Sequence, residues 1–254
     1  MKKNKKRSSW IVIILTGLVL FLFASGVGYA YQKEIKKQLI ELRDWLAMKK
    51  YETFIPGEDQ IWGIDISHHQ QGIDWKKFDD ALPAFVFLKA TEGSTHRDTR
   101  YQEYKNKLKA KEIPTGAYHF FSYKSSGIAQ AKHFLKFASL EKGDLPSVLD
   151  AEFTSGMPNK EKVRKELLAF IQYVEKETGV KPTIYCECDY YNKYLKGKLN
   201  GTYPLWISDF WREPNCGYMF WQKTDKFKHP AFKGTIDYNI FNGTADDLEK
   251  LLMK

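Results

Sequence analysis

Two carboxylates two residues apart, Asp150 and Glu152, are the side chains of this 254-residue chain whose types and spacing point most directly to chemistry. They end a short apolar run, 147–149, that predicts a β-strand. Side chains two apart on a strand share a face, so the two Cα atoms would lie roughly 6–7 Å apart and both carboxyls would point into one concave place. Like charges held that close raise the pKa of one partner, which provides an acid and a base at neutral pH. Hydrolysis of a glycosidic bond needs such a pair, whereas an isolated Asp-x-Glu is more often two solvated acids.

The elements that would position this pair are short apolar runs that alternate with amphipathic segments from residue 60 onward. The first part of this region predicts strands at 61–65, 85–90, 115–121, 147–152 and 183–186, with helices at 74–81, 99–111, 125–140, 159–178 and 189–197. After residue 200 the pattern predicts strands at 205–208, 218–222 and 235–237 with turn-rich connections, and a final helix at 245–252. Five βα units followed by three strands predict an α/β fold, a (β/α)5β3 barrel that resembles a TIM barrel with an incomplete ring of helices.

Polar residues at the carboxyl ends of barrel strands are the natural site candidates. The predicted strands place nine such residues at or just past their ends: Asp65, Glu92, His119, Asp150, Glu152, Glu187, Ser208, Gln222 and Asp237. The strand pattern therefore supports a site at that rim independently of the Asp-x-Glu pair.

The N-terminal segment predicts a membrane anchor. Basic residues 2–7 precede an uncharged run, 10–31, that is long enough to cross a bilayer as a helix. Basic flanking residues predict a cytoplasmic N-terminus, so the rest of the chain would lie in the periplasm or outside the cell. A cleaved signal peptide that ends near residues 28–30 is the alternative, and the protein would then be secreted.

The resulting domain organisation has four parts. Residues 1–9 form a basic cytoplasmic tail, 10–31 the anchor, 32–59 a juxtamembrane helix and linker, and 60–254 a catalytic barrel. Apolar residues recur at helical spacing in the third part and suggest a stalk. The same residues would also allow this helix to pair with a second copy as a dimer, so the pattern leaves the oligomeric state undecided.

Charge and cysteine content exclude several classes of function. The net charge is +9, but residues 1–58 hold eleven Lys or Arg against five Asp or Glu, so most of the basicity lies in the tail and no nucleic-acid face is expected. Cys186 and Cys188 lie two apart on a predicted strand, a poor geometry for bonding each other, and Cys216 lies in a turn. An odd number of cysteines outside the cytoplasm leaves at least one free thiol or an intermolecular partner, and small buried or partly buried thiols are the favoured interpretation. No Cys/His spacing indicates a metal site, and no cofactor is expected.

A series of motifs from residue 62 to 241 resembles glycoside hydrolase family 25, the muramidase lysozymes. The matching pieces are Gly63-Ile64-Asp65-Ile66-Ser67-His68, Ile73-Asp74-Trp75, Leu88-Lys89-Ala90-Thr91-Glu92-Gly93, Gly116-Ala117-Tyr118-His119-Phe120, Leu149-Asp150-Ala151-Glu152, Pro182-Thr183-Ile184-Tyr185, Leu205-Trp206, Trp221-Gln222 and Ile236-Asp237-Tyr238-Asn239-Ile240-Phe241. The family fold is also a (β/α)5β3 barrel. The resemblance implies cleavage of the β-1,4 bond between N-acetylmuramic acid and N-acetylglucosamine, with peptidoglycan glycan strands as the partner.

The resemblance also implies roles for the four clustered acids. Glu152 is expected to be the general acid that protonates the leaving oxygen. Asp150 is expected to orient the substrate 2-acetamido group or to stabilise positive charge, although direct attack and activation of water stay open. Asp65 and Asp237 match two further acidic positions of the family. Retention and inversion at the anomeric carbon are not distinguished.

Further positions match the family's sugar groove, and some depart from its pattern. Tyr118, Tyr185, Trp206 and Gln222 are expected to bind substrate, Lys89 to meet the acidic cluster, and His68 to hydrogen-bond sugar or backbone, whereas His119 is expected to be structural. His69 stands where an aromatic residue is common, and Asp209 is added near the rim. Both departures could change subsite preference.

Two other functions stay open at this stage. One is a non-catalytic protein that binds peptidoglycan as a scaffold. The other is a hydrolase of a related amino-sugar polymer such as chitin, whose pocket would lack room for the lactyl ether of muramic acid. The intact set of four acids argues against a simple binder, because binding alone gives no reason to cluster like charges.

Overall fold

The structure is a computed structural model that describes residues 31–32, 34–36, 38–39, 60–199 and 202–254. The chain divides into two units, Met1–Phe54 and Ile55–Lys254. In the first unit the described residues are helical and exposed, and all of them except Tyr31 lie within the predicted juxtamembrane segment. The predicted anchor lies outside the described residues apart from Tyr31. Across the described residues, no helix combines the length and apolar character needed to span a bilayer.

The second unit is a closed barrel of eight strands with one short additional strand. The strands are β1 Trp62–Ile66, β2 Phe85–Glu92, β3 His96–Arg97, β4 Thr115–Phe120, β5 Val148–Asp150, β6 Thr183–Cys186, β7 Leu205–Ser208, β8 Phe220–Phe227 and β9 Ile236–Phe241. Their order in the sheet is β1-β9-β8-β7-β6-β5-β4-β2-β3, and pairing of β1 with β2 closes the barrel. The predicted eight-stranded α/β barrel is therefore confirmed, and β3 is an addition that the sequence pattern did not predict.

The last strand corrects the prediction that Asp237 ends a strand. Instead β9 begins at Ile236, runs antiparallel to both β8 and β1, and sets Asp237 opposite Asp65 in the register. Residues 228–235 contain no helix to carry the chain back across the barrel, and antiparallel neighbours need only such a short connection. Because β9 is reversed, its first residues lie at the rim where β1 ends.

In the described part of the second unit, five α-helices follow the amphipathic segments. They are α1 Tyr101–Lys109, α2 Gly127–Ala138, α3 Lys160–Thr178, α4 Cys188–Tyr194 and α5 Ala245–Lys250. The predicted helix at 74–81 is only a short 3-10 turn, Lys77–Asp80, and the predicted helix at 189–197 ends three residues earlier. The other predicted helices are present, with ends that differ from the predicted ones by at most two residues.

Helix α3 shows how the sequence determines these elements. The side chain of Asn159 accepts a hydrogen bond from the backbone N–H of Lys162 at the start of the helix, and Gly179 ends it with a φ of 70°. Its apolar stripe is completely buried: Val163, Leu167, Phe170, Ile171 and Val174. Each such side chain contributes about 1.5–3 kcal/mol through burial. The stripe therefore fixes α3 against the barrel.

Aromatic side chains fill the barrel interior and extend to the rim. Phe87 stacks on Trp206 with ring centroids 4.4 Å apart, and Phe220 meets Phe85 and Phe87 edge-on at 5.1 Å. All four side chains are at most 2% exposed. The floor beneath the carboxyl ends of the strands is consequently rigid and apolar.

Two of the three cysteines form a disulfide, which corrects their favoured interpretation as buried or partly buried thiols. Cys188 begins α4 and does not lie on β6, and it forms a disulfide with Cys216, with 5.8 Å between the two Cα atoms. Cys186 is the buried free cysteine. The disulfide links the start of α4 to the loop between β7 and β8, two segments that no sequence pattern brings together.

Candidate active site

A cavity of about 300 Å³ opens at the rim of the barrel. Its lining is acidic and aromatic with one lysine: Asp65, Lys89, Tyr118, Phe120, Asp150, Glu152, Tyr185, Trp206, Phe210, Gln222 and Asp237. All four acids of the predicted site, and five of the six predicted substrate-binding residues, line this one cavity. Phe120 and Phe210 were not predicted.

Asp150 and Glu152 reach the cavity from the end of β5. The strand ends at Asp150, two residues before the predicted end. The backbone N–H of Ala151 donates to the carbonyl of Tyr185 on β6 at 2.9 Å, and the carbonyl of Asp150 accepts from the backbone N–H of Phe121 at 2.9 Å. Hydrogen bonds on both sides therefore hold the segment that carries the pair.

Burial and neighbouring negative charges raise the pKa values of this pair. Asp150 is 7% exposed, and its Oδ1 atom is buried with no hydrogen-bond partner within the described part of the chain. Burial, followed by the charge of Glu152, raises the pKa of Asp150 well above its usual range. Burial also raises the pKa of Glu152, and the charges of Glu187 and Asp65 add to this effect. The two carboxyls together hold a proton more tightly than solvated acids do.

Lys89 opposes this rise from the neighbouring strand. Its ammonium donates to Glu92 Oε2 at 2.7 Å and lies 4.9 Å from the centroid of the Phe120 ring. Its positive charge lowers the pKa values of both Asp150 and Glu152, although burial outweighs it at each. Lys89 therefore lies beside the acidic cluster, and its role in substrate binding stays a prediction.

Asp65 and Asp237 form a second carboxyl pair in the same cavity. Asp65 Oδ2 accepts from Asn239 Nδ2 at 2.8 Å and from Gln222 Nε2 at 3.1 Å, and Asp237 is hydrogen-bonded to Asp65. Burial, the charge of Asp65 and the charge of Asp225 raise the pKa of Asp237 to about 9, and burial raises that of Asp65 to about 6. At neutral pH Asp237 therefore keeps a proton and donates it to an ionised Asp65.

Asp237→Asn is expected to make the protein more stable above pH 4. Between about pH 4 and 9 the folded state binds a proton on Asp237 that the unfolded chain has released, so stability falls as pH rises through that window. Asn does not titrate, and its amide can still donate to Asp65. The free energy of unfolding should be about 1–2 kcal/mol above wild type at pH 8 and equal to it near pH 4. Urea unfolding at both pH values checks this, and an equal gain at both would contradict the shared proton.

Asn239 is a site residue that the sequence reasoning missed. It is fully buried, donates to Asp65 and accepts from the indole N–H of Trp206 at 2.8 Å. Gln222 accepts from the Tyr185 hydroxyl at 2.7 Å and donates to Asp65. These bonds fix Trp206, Tyr185 and Gln222 around Asp65. Alternation along β9 could have indicated Asn239, because it lies two residues after Asp237 and shares its face.

The two histidines of the motifs lie apart from the cavity lining. His68 Nδ1 lies 2.7 Å from Asp98 Oδ2, and the His68 backbone N–H donates to the same atom at 2.9 Å. Its role in substrate binding stays a prediction. His119 is completely buried between Thr91 and Gln130, and burial lowers its pKa to about 4. The structural role predicted for His119 agrees with this packing.

Within the part of the chain that the structure describes, no group of three or more His, Cys, Asp or Glu residues is arranged to hold a metal ion.

Comparisons with known proteins agree with the geometry. The model of the family "Glycosyl hydrolases family 25" matches residues 64–232. Protein YegX of Escherichia coli O6:H1 is 34% identical over 245 residues, which are 92% of this chain and 89% of YegX. Lysozyme M1 of Streptomyces globisporus is 31% identical over 204 residues, which are 73% of this chain and 69% of that protein.

Solved structures share the barrel. A family 25 glycosyl hydrolase from Bacillus anthracis is 31% identical with a TM-score of 0.72 and covers 79% of this chain and 97% of its own. A bacterial lysozyme from Streptomyces coelicolor is 29% identical with a TM-score of 0.70 and covers 77% of this chain and 98% of its own.

Proposed function

Because the chain belongs to glycosyl hydrolase family 25 and is a glycoside hydrolase of the lysozyme type, we propose that it hydrolyses the β-1,4 bond between N-acetylmuramic acid and N-acetylglucosamine in peptidoglycan. The observation that carries this proposal is the meeting of Asp65, Asp150, Glu152 and Asp237 around one cavity. Four carboxyls in one partly dry site cannot all ionise at neutral pH, so protons remain there for donation.

Glu152 is the general acid of this proposal. It is only half-buried, so a leaving-group oxygen in the cavity can reach it, whereas Asp150 lies deeper. A raised pKa keeps its proton available near neutral pH, as protonation of a glycosidic oxygen requires. The charge of Lys89 limits that rise, so the proton can still be released.

Asp150 assists through the substrate. Its buried Oδ1 lacks a partner within the described residues, and the N–H of a substrate 2-acetamido group is a donor that would supply one. Such a bond favours the ionised form of Asp150, so the proton that Asp150 and Glu152 hold between them stays on Glu152. The acetamido oxygen is then oriented toward the anomeric carbon, and the protein needs no nucleophile of its own.

The aromatic and polar residues that line the cavity have two roles: some hold its shape, and others can contact the sugar. Within the described residues, Tyr185 donates a hydrogen bond to Gln222, and Gln222 donates one to Asp65. Trp206 donates to Asn239. These side chains therefore hold the shape of the cavity. Tyr118 makes no side-chain hydrogen bond within that part of the chain, so its hydroxyl is available to a sugar. The ionised Asp65, which accepts a hydrogen bond from the protonated Asp237, contributes negative charge to the cavity and so favours the positive charge that develops at the anomeric carbon.

Mass spectrometry of the products from purified sacculi tests this function. Soluble muropeptides that carry a new reducing N-acetylmuramic acid end are expected. New reducing N-acetylglucosamine ends would assign a different bond. Binding to sacculi without release would indicate a scaffold protein, and cleavage of chitin oligomers without release from sacculi would indicate the other amino-sugar polymer.

We also propose that the barrel lies outside the cytoplasm, tethered by residues 10–31. The disulfide between Cys188 and Cys216 supports this location, because disulfides persist in oxidising compartments. A cleaved N-terminal segment would instead release the protein.

Counting thiols in protein isolated from cells under acid quench is expected to reveal the disulfide. One thiol, that of Cys186, should react with a maleimide in denaturant, and all three cysteines should react after reduction. The native protein should react slowly, since Cys186 is buried and burial raises the pKa of its thiol. Three reactive thiols without reductant would contradict both the disulfide and the exported location.

A further inference from the structure

Trp211 is the most exposed large apolar side chain of the barrel unit in the described part of the chain, at 86%. Its indole makes no ring contact and no hydrogen bond with any described residue. By contrast Phe153, 43% exposed beside Glu152, is packed against Tyr190 with ring centroids 5.0 Å apart. A large aromatic face left in water is costly and frequently belongs to a binding surface.

The loop that carries Trp211 is held in place from several directions. Asp209 Oδ1 accepts the backbone N–H groups of Trp211 at 3.0 Å and Arg212 at 3.2 Å, and the carbonyl of Asp209 accepts the indole N–H of Trp221 at 2.8 Å. Farther along, the disulfide ties Cys216 to α4. The exposed indole therefore stands on an ordered turn, which reduces the entropy lost when a ligand covers it.

The position of this turn connects it to the cavity. Phe210, the residue before Trp211, lines the cavity. The backbone N–H of Asp209 donates a hydrogen bond to the backbone carbonyl of Gln222, a cavity residue on β8. A volume of about 300 Å³ is at the small end of ligand pockets. A glycan strand that is cut inside must therefore continue over the rim.

We propose that the indole face of Trp211 stacks on a pyranose ring of the glycan strand outside the cavity, so that residues 209–218 form an outer sugar-binding subsite. The inference rests on the proposed function, because it takes its ligand from the same polymer. Aromatic faces bind the C–H face of a sugar through apolar contact and need no hydrogen bond. Asp209, which departs from the family pattern, is thus the residue that shapes the turn and presents the indole.

The test measures binding without cleavage in the Glu152→Gln protein. The probes are glycan strands stripped of stem peptides by an amidase and separated into tetrasaccharides and strands longer than ten disaccharides. Adding Trp211→Ala is expected to weaken binding of the long strands about tenfold, as the loss of one stacking contact implies. Binding of tetrasaccharides should weaken less. Trp211→Tyr should restore most of the affinity, because it retains an aromatic face.

Leu82→Ala is the matched control, since Leu82 is also an exposed large apolar side chain, at 48%, and lies outside both residues 209–218 and the cavity lining. It should leave the affinity for long strands unchanged. Equal affinity of the Trp211→Ala and parent proteins for long strands would overturn the inference while leaving the proposed function intact. Failure of the parent itself to bind any strand would instead refute the proposed function, and the inference with it.

Discussion

Glu152→Gln is expected to lower the release of muropeptides from sacculi by about 10²–10⁴-fold, the range of a positioned general acid. Gln has the shape of Glu but no transferable proton, and no other carboxyl occupies its place in the cavity lining. The loss should appear in kcat, because the proton is transferred only as the glycosidic bond breaks. Initial rates of new reducing ends from soluble glycan strands give this value directly.

Glu187→Gln provides the matched control for the same substitution. Glu187 is exposed and lies outside the cavity lining, but its charge helps to raise the pKa of Glu152. This variant should stay active near pH 5 and lose activity at a lower pH than wild type on the alkaline side, because Glu152 would release its proton sooner. Equal release by wild type and Glu152→Gln, with matched circular dichroism, would remove Glu152 from the acid role.

The sequence predicts the barrel well where local pattern and tertiary structure agree. Strand β6 and strand β7 lie where the apolar runs place them, and α3 matches its stripe and caps, because period and burial coincide there. The direction of a strand, by contrast, cannot be predicted from its local pattern. A run such as 235–237 shows that a strand is near but not which way it pairs, and only the short return from β8 makes β9 antiparallel.

The same distinction between local pattern and tertiary contacts applies to the candidate site. The motifs predicted the four acids of the cavity, because an acidic residue type within a motif can be recognised directly in the sequence. These acids are Asp65, Asp150, Glu152 and Asp237. The bond from Asn239 to Asp65, the shared proton of Asp237 and the disulfide of Cys188 depend on distances between elements remote in the chain. The exposure of Trp211 is equally invisible to periodicity, since a tryptophan in a loop is as often buried as free.

Asp150→Asn is expected to lower kcat by about 10²–10³-fold while raising thermal stability. Asn keeps the shape of Asp150 but cannot carry the negative charge that orients a 2-acetamido N–H and stabilises the cation formed from it. Burial raises the pKa of Asp150 in the folded protein above its value of about 3.9 in the unfolded chain, so wild type loses stability as pH rises above about 4. The gain in Tm from the substitution should therefore be larger at pH 7 than at pH 4.

The stereochemistry of the first product distinguishes the roles that remain open for Asp150. Participation by the acetamido group displaces the leaving group and is itself displaced by water, so the fresh reducing end should be the β anomer in early NMR spectra. The α anomer would instead make Asp150 a base that activates water. A trapped sugar ester on Asp150 would make it the nucleophile. If Asp150→Asn were inactive and also less stable at both pH values, damage to packing would explain the lost activity. Replacing a buried carboxyl whose Oδ1 has no partner among the described residues should otherwise stabilise an intact fold.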